Sequence, residues 1–226
     1  MKYLFPFLFL FSITVFFSSC FEITEEINMK SNGSGDMLLT VNMSQSKVNL
    51  KNYMKMEEVQ GIKVPKQSEI EEEISNVKKA LAQVKGLSNV KINSDFSEFI
   101  FTVSGQFDNV KTLNVAINKV AGELNHTPFP LIKKDNFDFS AGKFTRYFDY
   151  LKKLNFTQQE YDDLDFTQKF IMESAKYTSI YRFDKPVKKV SNTKAEVAPS
   201  KKAVKLESNF AEILTGRKAI ENVITY

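Results

Sequence analysis

The chain has 226 residues with Lys+Arg 31 against Asp+Glu 27, a formal charge of +4, a single Cys, no Trp and 21 Phe. A charge that small singles out no polyanionic or polycationic partner, and one cysteine excludes an internal disulfide framework. The many Phe, Lys, Asn and Ile read as a compositional bias of the genome, not as an aromatic binding surface.

Met1-Lys2 is followed by an apolar run from Tyr3 to Phe17 and then by Ser18-Ser19-Cys20. This is the layout of a secretory signal. The run is about 15 residues, short of the roughly 20 needed to span a hydrocarbon core, and Pro6 interrupts it. Phe17-Ser18-Ser19-Cys20 resembles the lipobox of bacterial lipoproteins, although Phe17 stands where Leu is usual. What the resemblance implies is cleavage before Cys20, acylation of its thiol and new amino terminus, and a membrane-lipid partner. A free thiol in an oxidising envelope would otherwise be an oddity.

Phe21 to Met29 carries apolar residues at odd positions except Glu25, a period of two that predicts a half-buried strand. Lys30-Ser31-Asn32-Gly33-Ser34-Gly35 is turn chemistry, and Met37 to Met43 reads as the returning strand of a hairpin. Ser46 to Met56 reads as a helical connector. With Pro65 before it, an S-x-x-E capping box at Ser68 and Glu71 predicts a helix whose Ile70, Ile74, Val77, Leu81 and Val84 form one stripe, stopped by Gly86.

Val90 and Ile92 mark a short strand, Asn93-Ser94-Asp95 a turn, and Phe99 to Val103 a second strand ending near Gly105. Asp108 is the expected cap of a helix carrying Val110, Leu113, Ile117, Val120 and Leu124. Thr127-Pro128-Phe129-Pro130 is the candidate boundary. Beyond it Phe137-Asp138-Phe139 and Phe144-Thr145-Arg146-Tyr147 form a turn-linked pair. Leu151 to Ser174 reads as helical, with a capping box at Thr157 and Glu160. Tyr177 to Phe183 reads as a strand, and Lys202–Leu206 and Asn222–Tyr226 as two more, separated by a helical turn at Ala211–Leu214.

Paired strands with amphipathic helices predict an α+β fold: antiparallel sheet from paired strands, with two or three helices on one face. The expected organisation is a signal peptide at 1–19, a hairpin-helix-hairpin-helix unit at 20–126, and a second α+β half at 127–226 packed on the first. This layout, with the Gly33-Ser34-Gly35 turn and the late Phe183-Asp184-Lys185-Pro186-Val187 segment, resembles the uncharacterised lipoproteins common in Bacteroidota. In its order of elements it is distantly similar to the LppM-type envelope lipoproteins. The resemblance implies an envelope location and an α+β domain, and it carries over no catalytic residue.

The inventory argues against common chemistries. His126 is the one histidine, so no H-E-x-x-H zinc site exists, and a Ser-His-Asp set would need His126 beside Pro128 without a G-x-S-x-G elbow. No phosphate-binding glycine loop is present, and Asn32-Gly33-Ser34-Gly35 explains itself as a hairpin turn. No cofactor, metal or nucleic-acid partner is expected. Glu160, Asp162, Asp163 and Asp165 lack the spacing of a calcium loop, and offer the alternative of a carboxylate-dependent hydrolase acting on envelope glycan. Lys185, Lys188, Lys189, Lys194, Lys201, Lys202 and Lys205 face a single acid, Glu196. Of these Lys185, Lys188, Lys189, Lys201 and Lys202 are the candidates for contact with an anionic surface, set against the simpler reading of a solvated hairpin with Val187, Val190, Val197 and Val204 turned inward.

The leading functional expectation is a non-enzymatic binding or scaffolding lipoprotein, lipid-anchored in the bacterial envelope, on the outer membrane in preference to the inner, with an envelope protein or polysaccharide as partner. A surface-exposed ligand receptor is a further alternative, drawn from Glu22, Glu25 and Glu26 soon after the cysteine.

Overall fold

The computed structural model describes residues 21–59, 62–123, 135–140, 142–148, 158–164 and 166–226. The signal segment, Cys20, Leu124, His126, Thr127–Pro130, Leu151–Thr157 and Asp165 lie outside the described residues.

The period-two segment after Cys20 forms β1 (Glu22–Met29), which turns back into β2 (Gly35–Asn42). Gly33 closes the turn at φ +87°, where an L side chain is strained. At Gly35 a Cβ would meet the Asn28 carbonyl oxygen and stand 2.7 Å from the Phe107 ring, so only glycine fits there. A 3-10 turn (Ser44–Ser46) and α1 (Lys47–Tyr53) follow, then a small pair, β3 (Glu58–Val59) and β4 (Ile62–Lys63).

Helix α2 spans Gln67–Ala82, starting before the expected Ser68 box. Glu69 caps it: its carboxylate accepts from the Lys66 N–H and from Lys63 Nζ, each at 2.8 Å. Val77, Ala80, Leu81 and Val84 are buried while Ile70 and Ile74 are half-buried, as the stripe predicts. Strand β5 (Leu87–Asp95) runs through the segment read as a turn, and the reversal falls at Phe96–Phe99 before β6 (Ile100–Phe107). The Asp95 carboxylate makes it by accepting from the N–H groups of Ser97 and Glu98. Helix α3 (Val110–Glu123) is capped by Asn109, whose Oδ1 accepts from Thr112 N–H at 3.1 Å; Asp108 bonds the Thr112 hydroxyl instead.

Strands β7 (Phe137–Ser140) and β8 (Lys143–Arg146) pair as expected. Two short helices, α4 (Gln158–Asp162) and α5 (Phe166–Ser174), precede β9 (Lys176–Phe183). The tail gives β10 (Lys189–Val190), β11 (Glu196–Val197), β12 (Ala203–Asn209), α6 (Phe210–Leu214) and β13 (Asn222–Thr225).

The strands assemble into a seven-stranded sheet, β11-β12-β9-β1-β2-β6-β5, and a four-stranded sheet, β10-β13-β8-β7. The larger sheet departs from the antiparallel expectation in one pairing. β1 and β9 run parallel along their whole length, Glu22 opposite Lys176 and Met29 opposite Phe183. All other neighbours in both sheets are antiparallel.

Among the described residues, one face of the large sheet carries the small sheet, α2, α3 and α6. Ile27, Met29, Tyr181, Phe183 and Val204 face Phe137, Phe144, Ile224 and Tyr226 of the small sheet in one apolar cluster. Val103 and Ile92 of the same face pack under α2 and α3, and Tyr177 and Leu206 pack under Ile213 of α6. The opposite face is polar, crossed by the pairs Arg182–Glu26 (2.6 Å) and Lys205–Glu207 (2.7 Å). The fold is therefore α+β, with helices and a second sheet stacked on one face of the first.

Candidate functional site

The parallel β1–β9 pairing sets two opposite ends. Phe21, the neighbour of Cys20, enters β1 beside Lys176, whose N–H donates to the Phe21 carbonyl at 3.0 Å. Both strands then run eight residues to the far end, about 25 Å away at roughly 3.3 Å per residue. There the chain leaving β9 passes Asp184, held by Ser31 N–H (2.9 Å) and Oγ (2.6 Å), and continues into Lys185.

The candidate lysines gather at this far end. Lys201 and Lys202 accept main-chain bonds from Val187 (2.6 Å) and Phe183 (2.9 Å), and Lys188 N–H donates to Thr225 at 2.8 Å. Lys189 lies opposite Thr225, which also lies opposite Lys143 of β8. The side chains of Lys185, Lys188, Lys189, Lys201 and Lys202 are all exposed. Their backbone is fixed from beneath by buried Val187 and Val204, while Val197 is 41% exposed and does not turn inward as expected, since β11 is a two-residue edge strand. Lys205 and Lys194 stand apart: Lys205 pairs with Glu207 on the open face, and Lys194 follows the Asn192 turn.

The most unusual internal feature is a charge at an inward position. Glu25 shares the inner face with Ile27 and Met29, where its carboxylate accepts from Tyr181 Oη at 2.5 Å and from Arg146 Nη2 at 3.3 Å. Arg146 comes from β8 on the opposing sheet, so the pair ties the two layers together. Its Nη1 donates to the Tyr147 carbonyl at 2.6 Å, and its guanidinium carbon sits 4.9 Å from the centre of the Phe137 ring. Arg146 Nε and Tyr177 Oη are buried without hydrogen-bond partners. Burial is the largest influence on Arg146 and opposes its charge, but the Glu25 carboxylate together with the buried Tyr177 and Tyr181 phenols outweighs it and holds the guanidinium above its ordinary pKa. Two signals for this cluster stood in the sequence: Glu25 breaks the apolar alternation of its strand, and Arg146 falls two residues after Phe144, on the same face.

Burial and then the Glu25 charge push the phenols of Tyr177 and Tyr181 up, and burial with the Asp184 charge pushes Tyr226 up to about 12. A phenol whose folded pKa exceeds its unfolded value of about 10 contributes stability that is fully present below that value and is lost as pH climbs through the folded one. The fold is therefore expected to hold its stability up to pH 10 and to lose it steeply above. Ultraviolet difference titration should show these phenolates forming only together with unfolding; their ionisation near pH 10 in a folded chain would contradict the burial.

A cleft of about 490 Å³ lies between the Asn32-Gly33 turn, the start of α3 and β7, lined in part by Asn109, Lys111, Asn114, Asp135 and Asp138. Its buried polar residue is committed to structure. Asn114 Nδ2 donates to the Phe137 carbonyl (2.8 Å) and Oδ1 accepts from Asn136 and Phe137 N–H (3.0 Å each), pinning β7 to α3. Among the described residues, Glu160, Asp162 and Asp163, three of the acids proposed for hydrolysis, do not line it. Asp162 and Asp163 instead accept from Gln158 (2.9 Å) and Gln159 (3.0 Å) one turn back on their own helix surface. Among the described residues no group of three metal-ligating side chains gathers, and no helix is long and apolar enough to cross a membrane.

No family model matches the chain, and no curated protein matches it. Among solved structures, the NMR structure of the folded domain of the Mycobacterium tuberculosis LppM protein is similar over 92% of this chain and 90% of that one, at 8% sequence identity and a TM-score of 0.39. A likeness at that level carries no function from one protein to the other.

Proposed function

We propose that this chain is a non-enzymatic lipoprotein of the bacterial envelope, anchored through acylated Cys20, that presents its lysine end to an anionic envelope partner away from the anchoring bilayer. The observation that carries the reading is the parallel β1–β9 pairing, which puts the entry from Cys20 and the lysine cluster at opposite ends. Because β1 begins at Glu22, one residue after Phe21, the folded domain sits directly on its anchor with no tether between them. The lysines therefore reach outward, toward an envelope polysaccharide or protein, and not back to the headgroups beside the lipid.

Two of the three acids near the amino terminus, Glu25 and Glu26, do not favour the receptor alternative. Glu25 is taken up by Arg146 and Tyr181 in the core, and Glu26 by Arg182 on the open face.

Crosslinking and pull-down from intact envelope tests the proposal. Replacing Lys185, Lys188, Lys189, Lys201 and Lys202 together by Gln is expected to lower recovery of the partner at least about tenfold and to remove its salt dependence, while leaving the fold intact, since all five side chains are exposed. Unchanged recovery would remove the lysine end from the account.

A further inference from the structure

We propose that the surface bearing Val48, Tyr53 and Met56 rests on the bilayer that holds Cys20, an inference that depends on the anchor reading above. Among the described residues, three of the seven exposed large apolar side chains fall in this one short segment: Val48 is 68% exposed, Tyr53 43% and Met56 51%. Scattered apolar residues on a surface need no explanation, but a group does.

Its position supplies the occupant. β2 ends at Asn42, directly opposite Glu22, so the chain leaves the sheet at the same end where it arrives from Cys20. The connection is held there: Met43 N–H donates to the Phe99 carbonyl at 2.9 Å, and Lys47 Nζ reaches Glu98 at 2.7 Å in the β5–β6 turn. The entry point is fixed as well, with the Phe21 ring 5.4 Å from that of Phe210. α1 therefore lies at the anchor end of the sheet, with Lys47, Leu50 and the capping Met54 half-buried and Val48, Asn49, Lys51, Asn52 and Tyr53 exposed.

A seven-residue helix has little stability of its own, so its exposed apolar groups are not there to build the helix. Exposed Lys51 and Lys55 stand among them, ahead of Glu57 and Glu58. Tyrosine and lysine beside apolar groups suit the headgroup boundary, where a ring or stem is buried and its polar tip stays wet. The lipid on Cys20 also makes this contact intramolecular in effect, so a small apolar area suffices to hold the domain against the bilayer.

The test uses the full acylated chain in vesicles of phosphatidylethanolamine and phosphatidylglycerol carrying a spin-labelled quencher lipid. Tyr53→Cys and, as the far-end control, Lys185→Cys are each labelled with an environment-sensitive fluorophore; the acylated Cys20 thiol does not compete. The label at 53 is expected to shift to the blue and to be quenched several-fold more than the label at 185. A chain that floats with the vesicles while its label at 53 is unquenched, or quenched no more than that at 185, overturns this inference and leaves the anchor standing. A chain that does not float overturns the anchor reading and this inference with it. A blue shift that follows protein density and ignores the quencher assigns the surface to a second copy of the chain and overturns the bilayer contact.

Discussion

Replacing Arg146 by Met is expected to lower the unfolding free energy by about 3–5 kcal/mol, because it leaves the Glu25 carboxylate inside the protein with its charge uncompensated. The two side chains are 8% and 17% exposed, so solvent does little to screen what is lost. Tyr181 Oη would remain as a donor to Glu25, which is not enough to hold a buried anion. Glu25→Leu should cost a comparable amount, since it strands the guanidinium between Phe137 and the Tyr147 carbonyl. The double variant is the informative one. An apolar pair of similar volume removes both desolvation penalties, so its stability is expected to return to within about 1–2 kcal/mol of the parent, with a coupling term larger than either single loss. Denaturant titration of the four proteins measures this. Single losses below about 1 kcal/mol, the scale of an exposed pair, would show that the cluster does not join the two sheets.

Cys20→Ala is expected to abolish incorporation of a palmitate analogue and to move the protein from the membrane fraction to the soluble one. The physical reason is the size of the anchor. Each buried methylene contributes roughly 0.8 kcal/mol, and acylation of both thiol and amine supplies more than one chain, enough for stable attachment. The apolar surface at Val48, Tyr53 and Met56 is far smaller and should not retain the protein without the lipid. Unchanged labelling would sink the lipoprotein reading, because no other cysteine exists to carry the thioether.

Local pattern and hairpin pairing were legible in this chain, and long-range pairing was not. Alternation gave β1, β2, β9 and their inward faces, and the helical stripes gave α2 and α3, because burial on one face is written directly into period. Capping was read two residues late at Ser68 and one early at Asp108, since several polar residues near a helix start compete for the same N–H groups. Asn93-Ser94-Asp95 looked like a turn by composition but belongs to β5, an edge strand that turns Asn93 and Asp95 to the outer face. The parallel union of β1 with β9 had no signature at all. It joins residues more than 150 apart, such as Tyr181 and Glu25, and alternation tells a strand which face is buried but not which neighbour it has. The candidate site was affected in the same way. Its lysines were visible as a run, yet only the topology shows that they stand at the end opposite Cys20. The Glu25–Arg146 cluster was hinted at by two misfit charges that single-strand reasoning could not bring together.

The most direct measurement is the height of the lysine end above the membrane, taken by energy transfer from a donor at Lys202→Cys to acceptors on lipid headgroups, with the acylated chain in vesicles. If β1 rises from its anchor as the parallel sheet requires, the donor should stand on the order of 25 Å or more from the headgroup plane, the length of an eight-residue strand. A separation under about 10 Å, less than the rise of three or four strand residues, would lay the sheet flat, return the lysines to the bilayer and contradict the account.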